Sequence, residues 1–407
     1  MLTFFPIPYP GEWWYSVLCR YHVWSGHSKH QSTIKELFDG KPKAAMGTLF
    51  PNSTVWQIVS QLPPQIGDIR TVLLQHTLFP YYIRFYTLEE KEKMLNQLSA
   101  GTSVTLTHIW KATTKKVWQP RYCPLCVVED RKSHGECYWH TAHQIPLASC
   151  CEKHGCRLKY AGKENPRLSE FFYPLESVEH SLDADEPLTE YELTLSSILS
   201  DYLMLPIHVG PPLNHNNLAQ QLFNKGYGIV RKDGNLSLDA VRLYQDIKRC
   251  YGYKLVDEVF GNEISATVMN RMVKWNLNLP ERYALLQCFA RLSTELVFSH
   301  ERILDIYEQR LHQLRDTGGF YGKKQLAEKL GVKPYQLDKL AVNYGIQPFW
   351  EHNDDTSTPK STLLKIYLTE EERDEIRRKS HEEGFRYESH FVQHCIRAYI
   401  AKKGMLR

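Results

Sequence analysis

Apolar residues that recur at three- and four-residue intervals behind recognisable helix caps predict a mainly α, multidomain protein, since β-prone runs are few and short. Paired cysteine and histidine spacing then places a small metal-bound module inside it. At 407 residues the chain has room for roughly two to four compact domains. The segments read as an N-terminal helical, helix-turn-helix-like domain with a zinc finger at 1–160, whose zinc subdomain spans about 115–160. A linker at 161–190 leads to a helical, DNA-binding-like domain at 191–350 with a helix-turn-helix at 321–350. A second linker, 351–361, precedes a ribbon-helix-helix-like module at 362–407.

Pro6, Pro8 and Pro10 hold an extended arm, and Glu12 opens a helix that runs to Gly26 with Trp14, Val17, Leu18, Tyr21 and Val23 on its apolar face. A short helix over Ser32–Phe38, ended by Gly40, makes the pair that looks like a helix-turn-helix. Ser53–Leu62 is a further helix, closed by Pro63 and Pro64. Thr87 and Glu90 form a capping box for a helix to Ser99, each side chain taking an amide that the helix leaves open.

Cys123-Pro-Leu-Cys126 and Cys151-Glu-Lys-His154 read as the four ligands of one structural Zn²⁺. A two-residue spacer turns both side chains of a pair toward one centre. Four protein ligands leave no open position, so the ion braces structure and does no chemistry. His140 and His143 are alternative ligands, or they orient the loop. Cys150 is set aside because the C-x-x-H spacing selects Cys151. If His154 ligates through one ring nitrogen, the other should donate to an acceptor that the sequence does not identify. Cys19, Cys137, Cys250, Cys288 and Cys395 read as buried thiols.

Beyond the acidic, Pro-containing connection, helices are expected at Tyr191–Leu203 and Leu218–Lys225. A hairpin at Gly226–Asn235 follows, then a helix at Leu238–Tyr251 capped by Ser237 and carrying Arg242, Lys248 and Arg249. Pro280–Phe298 reads as one long buried helix with Arg282 and Arg291 its basic positions. In Tyr321–Leu340, Leu326, Ala327 and Leu330 face inward from one helix, Gly331 permits the turn, Val332 plugs the corner, and Leu337, Leu340 and Ala341 face back. The second helix would offer Lys333, Tyr335, Gln336 and Lys339 to a major groove, with Gln suited to adenine and Lys to guanine or phosphate. A strand at Thr362–Leu368, a helix capped by Thr369 and a helix capped by Ser389 have the ribbon-helix-helix order. That fold requires a homodimer, with Lys365 and Tyr367 facing DNA. The acidic Glu370, Glu371 and Glu372 beside the ribbon weigh against phosphate contact there, and a plain dimerisation tail is the other reading.

A formal charge of +4 advertises no global field for nucleic acid, so a DNA surface has to be local. Ten cysteines without a disulfide pattern, no charged lead into an apolar core at the N-terminus and no long apolar run give the expectation of a soluble cytoplasmic, nucleoid-associated protein. The phosphate loop, H-E-x-x-H, G-x-S-x-G and the zinc deaminase pattern are missing, which points away from an enzyme. A nuclease or other zinc enzyme is the reading from another class, which metal analysis with activity assays would separate.

The stretches Arg121–Cys126, Tyr138–Pro146 and Cys151–Leu158 resemble the zinc-finger region of the TniQ family. Phe4-Phe-Pro-Ile-Pro-Tyr-Pro-Gly-Glu12, with Ser16 and Arg20, looks like that family's opening signature. Leu74-Gln-His-Thr-Leu-Phe-Pro80 is most similar to its target-selecting TnsD branch. The resemblance covers about residues 1–160. It implies a non-catalytic selector that binds double-stranded attachment-site DNA and recruits an AAA+ ATPase regulator (TnsC-like) and, through it, a transposase. The arm would be a docking peptide for the regulator. The other reading within the family is an adaptor that bridges a CRISPR Cascade complex to the regulator in RNA-guided transposition.

Overall fold

The computed structural model describes residues 4–38, 53–63, 68–104, 119–160, 172–178, 181–260 apart from 185, 279–318, 321–350 and 368–383, with isolated positions at 2 and between 388 and 399. Two compact units emerge. The first comprises Met1–Gly319 with Tyr335–Gln347, and the second Phe320–Pro334 with Pro348–Arg407.

In the first unit the arm leads into α1 (Trp14–Trp24), α2 (His30–Phe38), α3 (Ser53–Val59), α4 (Ile69–Gln75), α5 (Phe79–Tyr82) and α6 (Leu88–Ser99). α1 begins two residues after Glu12, whose backbone instead bridges to His140, and Gly26 ends it in the left-handed region at φ +71°. Thr87 and Glu90 form the expected capping box on α6. β1 (Arg121–Tyr122) and β2 (Lys159–Tyr160) pair antiparallel and close a module that contains α7 (Pro124–His134). α8 (Glu190–Met204) starts from a second capping box, Thr189 with Glu192.

α9 (Asn217–Leu222) and a wider turn lead to the hairpin β3 (Gly228–Val230) and β4 (Leu236–Leu238), paired antiparallel. The hairpin takes Ser237 and Leu238 into its second strand, so Asp239, and not Ser237, caps α10 (Ala240–Tyr251). α11 (Tyr253–Phe260), α12 (Pro280–Ala290), α13 (Thr294–Val297) and α14 (Ile306–Asp316) follow. The single helix expected over Pro280–Phe298 is broken, because Arg291 turns left-handed at φ +51° and Ser293 caps a new start.

One apolar core gathers the arm, α1–α6 and the strap Phe172–Leu175, and takes Tyr122, Val127, Cys137 and Trp139 from the metal module. A second gathers α8–α13 and takes Cys123, Cys126, Cys151, Cys156 and Leu158. The module is therefore wedged between two layers, buried on both sides. Two buried cations tie those layers together. Arg84 donates to the carbonyls of Tyr202, Leu205, Pro206 and Val209, and Lys91 to those of Ile207 and Val209. Cations at the carbonyl-rich end of α8 sit where the helix dipole favours them. Part of the expected linker is also ordered against the core: the Trp139 Nε1–H donates to Tyr173 O at 2.7 Å, and Glu176 takes the Cys137 amide at 2.9 Å.

Also in the first unit, α16 (Pro334–Asn343) has Leu337, Leu340 and Ala341 buried, while its first residue, Pro334, is assigned to the second unit. In the second unit, α15 (Lys323–Leu330) buries Leu326, Ala327 and Leu330. Gly331 ends it at φ +68°, with the Val332 and Gly331 amides bonded back to Ala327 and Glu328, a Schellman closure. α17 (Glu370–Glu382) has the capping box of Thr369 and Glu372, and its acidic first turn suits the helix N-terminus. The expected strand with Lys365 and Tyr367, Gly40 and most of the helix after Ser389 lie outside the described residues.

Candidate metal centre

The first knuckle is built by helix capping. Cys123 is the N-cap of α7, and its sulfur accepts the Cys126 amide at 3.4 Å, while Pro124 fills the first helical turn, where a missing N–H costs nothing. The second is a tight turn: Gly155 lies at φ +62°, its amide bonded to Cys151 O at 2.8 Å, and the Cys151 amide bonds to Cys156 O at 2.9 Å.

Those two turns bring Cys123, Cys126, Cys151 and His154 together, the four donor atoms all within 4.8 Å of one another. His154 Nδ1 lies 3.3, 3.4 and 3.6 Å from the sulfurs of Cys123, Cys126 and Cys151, and the last two sulfurs are 3.8 Å apart. A tetrahedron with ordinary zinc–sulfur and zinc–nitrogen bonds has edges of about 3.8 Å between sulfurs and about 3.6 Å from sulfur to nitrogen. The donor set fits such an ion in both chemistry and size. Bound there, the ion would cross-link the two knuckles.

The acceptor for the other ring nitrogen of His154 is Glu129, with Nε2 and Oε1 3.1 Å apart. Glu129 lies one turn beyond Cys126 on α7 and also pairs with Lys153. His140 is held by Asp130 at 2.9 Å, as an orienting role requires. His143 is buried, with Nε2 3.8 Å from the Cys126 sulfur, so Cys126, His140 and His143 make a second grouping that shares one ligand with the first. Burial pushes the His143 imidazole below its ordinary pKa. The Cys150 sulfur turns toward Glu192 O, away from the four. Cys156 lies outside the set of four, although its sulfur is 3.3 Å from that of Cys123. Cys19, Cys137 and Cys288 are buried thiols, but Cys250 and Cys395 are exposed because they fall on outward faces.

The remaining motif residues hold this module. Arg121 donates to Ile145 O and Ala148 O, both at 2.6 Å, and the Gln144 side chain bonds both the amide and the carbonyl of Arg121. Arg20 pairs with Glu12 at 2.9 Å and Glu136 at 2.8 Å, its guanidinium 3.7 Å above the Tyr9 ring. Burial pushes the Glu12 carboxyl up to about 7 although Arg20 opposes it. Ser16 Oγ accepts the Trp139 amide at 3.1 Å, the Trp13 amide donates to Trp139 O at 2.8 Å, and His76 Nδ1 is 2.7 Å from Glu12 O. Arm, α1, the end of α4 and the loop 136–141 thus form one hydrogen-bonded seam. Glu129 and Glu136 carried no signal in the sequence, since the first touches Lys153 and His154 on the other knuckle and the second touches Arg20, 116 residues away.

The expected DNA-contacting residues fare differently. Lys333, Tyr335 and Lys339 are exposed. Gln336 is buried, its amide donating to Val230 O at 2.8 Å and Arg231 O at 3.3 Å. The structure commits that side chain to the hairpin instead of to solvent, a contact that no local pattern announces. Lys339 Nζ donates to Lys232 O at 2.8 Å.

A helical layer docked by an N-terminal arm on a Cys₃His knuckle defines a helical domain built around a candidate metal-binding site. Residues 3–158 match the TniQ family model, so this N-terminal part of the chain is similar to that family. Over 156 residues the chain is 28% identical to the Escherichia coli protein "Transposon Tn7 transposition protein TnsD", a match that covers 37% of this chain and 30% of that protein. The chain therefore spans about a third of the length of the curated relative it matches.

Proposed function

We propose that this protein is a target-site selector in DNA transposition, a non-catalytic adaptor that binds double-stranded attachment-site DNA and recruits an AAA+ regulator, which in turn engages the transposase. The observation that carries the reading is the convergence of the family's motifs on one seam: Tyr9, Glu12, Ser16, Arg20 and His76 all serve to dock the arm and α1 on the knuckle loop. One structural Zn²⁺, held by Cys123, Cys126, Cys151 and His154, would make that platform rigid. Fixed side chains preorganise a docking surface and reduce the entropy lost when a partner binds.

Several modest DNA contacts on linked modules become tight through effective concentration. Tyr335 and Lys339 supply candidate contacts in the first unit, and Lys333, Lys365 and Tyr367 in the second, whose C-terminal part would be dimeric. Action on DNA inside a bacterial cell suits a cytoplasmic location, and among the described residues no helix is long and apolar enough to cross a membrane. A footprint of the purified protein on candidate chromosomal sites, with and without a Cascade complex, tests the reading. Protection of a defined site by the protein alone supports direct selection. Protection that needs Cascade replaces it with the RNA-guided bridge.

A further inference from the structure

The hairpin β3–β4 and α16 are about a hundred residues apart in sequence, yet they form one hydrogen-bonded piece. Gln336, Lys339 and Asn343, spaced three and four apart on one side of α16, reach Val230 O, Lys232 O and Asn235 Oδ1 at 2.8, 2.8 and 3.4 Å. The turn that permits this is Arg231-Lys-Asp-Gly-Asn235, closed by the Arg231 amide on Asn235 O at 2.9 Å. Gly234 is required there twice over. It lies at φ +80°, and a Cβ on it would come within 2.6 Å of Lys339 Cβ.

The docked hairpin holds Arg231 and Lys232 out into solvent beside α16, whose outward side carries the exposed Tyr335 and Val342. Other cations of the first unit are paired: Arg249 with Asp246, Lys248 with Asp257 and Arg302 with Glu308. Arg231 and Lys232 form no ion pair within contact distance among the described residues; the Asp233 carboxylate feels Arg231 but caps the Asn235 amide at 3.1 Å, so the tip keeps a net positive charge. Exposed cations with a net positive charge at the tip of a strand pair, next to an exposed helix side with an aromatic and an aliphatic residue, match a duplex. Phosphates take the tip, and base edges or the thymine methyl meet the helix.

We propose that the hairpin is a wing, and that Arg231 and Lys232 grip the DNA phosphate backbone beside α16. This rests on the DNA-binding reading above. It also assigns Gln336 and Lys339 a positioning role, in which they fix the wing, with Lys339 keeping donors free for phosphate.

The test measures binding of the full chain to a labelled mixed-sequence DNA duplex as salt is raised. Two phosphate contacts contribute a log–log slope of roughly 1.8, so from 50 to 200 mM salt the wild type should lose about tenfold more affinity than Arg231→Ala/Lys232→Ala. The charge-preserving Arg231→Lys/Lys232→Arg should keep the wild-type slope. Gly234→Ala, which leaves both cations in place but pushes the hairpin off the helix, should lower the slope as well. If the alanine pair keeps the full slope, or Gly234→Ala does, the wing is wrong while the selector reading stands. If the wild type shows no salt-dependent binding to any duplex, both fall. If the alanine pair loses only binding to a protein partner, the surface is a protein-docking one and the proposal fails.

Discussion

Glu129 shows how much a single side chain decides in this protein. Its carboxylate receives the His154 ring, which would fix the tautomer that leaves Nδ1 free to hold a metal. Glu129→Gln should weaken zinc affinity by roughly 10- to 100-fold with the fold retained, as read by competition with a chromophoric chelator. Unchanged affinity would remove the orienting role. Cys151→Ser should go further and abolish the cooperative unfolding of the first unit, because binding energy at such a site is folding energy. A variant that keeps both metal and melting temperature would show that the ligands are misassigned. His22 adds a pH dependence. Burial first, then His30 and His27, lower its pKa to about 4 from an ordinary 6.5. The folded state thus binds fewer protons than the unfolded chain between those values. Its stability contribution is complete above pH 6.5 and is lost as pH falls through 4. Urea midpoints measured across that window should slope upward with pH, and His22→Gln should flatten the slope.

Element by element, helices with a local start signal were legible. Thr87 and Thr369, each followed by Glu at the third helical position, start α6 and α17 where the sequence reading put them. Thr87→Ala should cost about 1 kcal/mol in chemical denaturation; a neutral result would mean that α6 is held by packing alone. Ends set by tertiary contact were not legible. Arg291 breaks the apolar run of α12 in a left-handed conformation that an arginine rarely adopts, so nothing in the pattern marked it. Gln336 looked solvent-facing because the hairpin covering it comes from residues 228–238. The clustering of Cys123, Cys126, Cys151 and His154 was legible because a helix cap holds one pair and a tight turn the other, so that spacing fixes local geometry. The seam that docks the arm on the knuckle was not, since its partners, such as Arg20 and Glu136, are 116 residues apart.

At the scale of the molecule, the Cys/His module is sandwiched between the α1–α6 core and the α8–α13 core, so an ion bound there would brace both. The expected boundary near residue 160 is crossed by Arg84, Lys91 and the strap, which draw residues 172–209 into the same unit. The dimer expected from residues 362–407 belongs to this scale too. Deleting them should halve the solution mass measured by light scattering, and an unchanged mass would rule out dimerisation through that tail. The most direct measurement of the account is zinc content per purified chain together with thermal unfolding before and after chelation. One zinc per chain, and loss of the first unit's transition when it is stripped, is the predicted result. A chain free of metal that still unfolds cooperatively at the same temperature would contradict it.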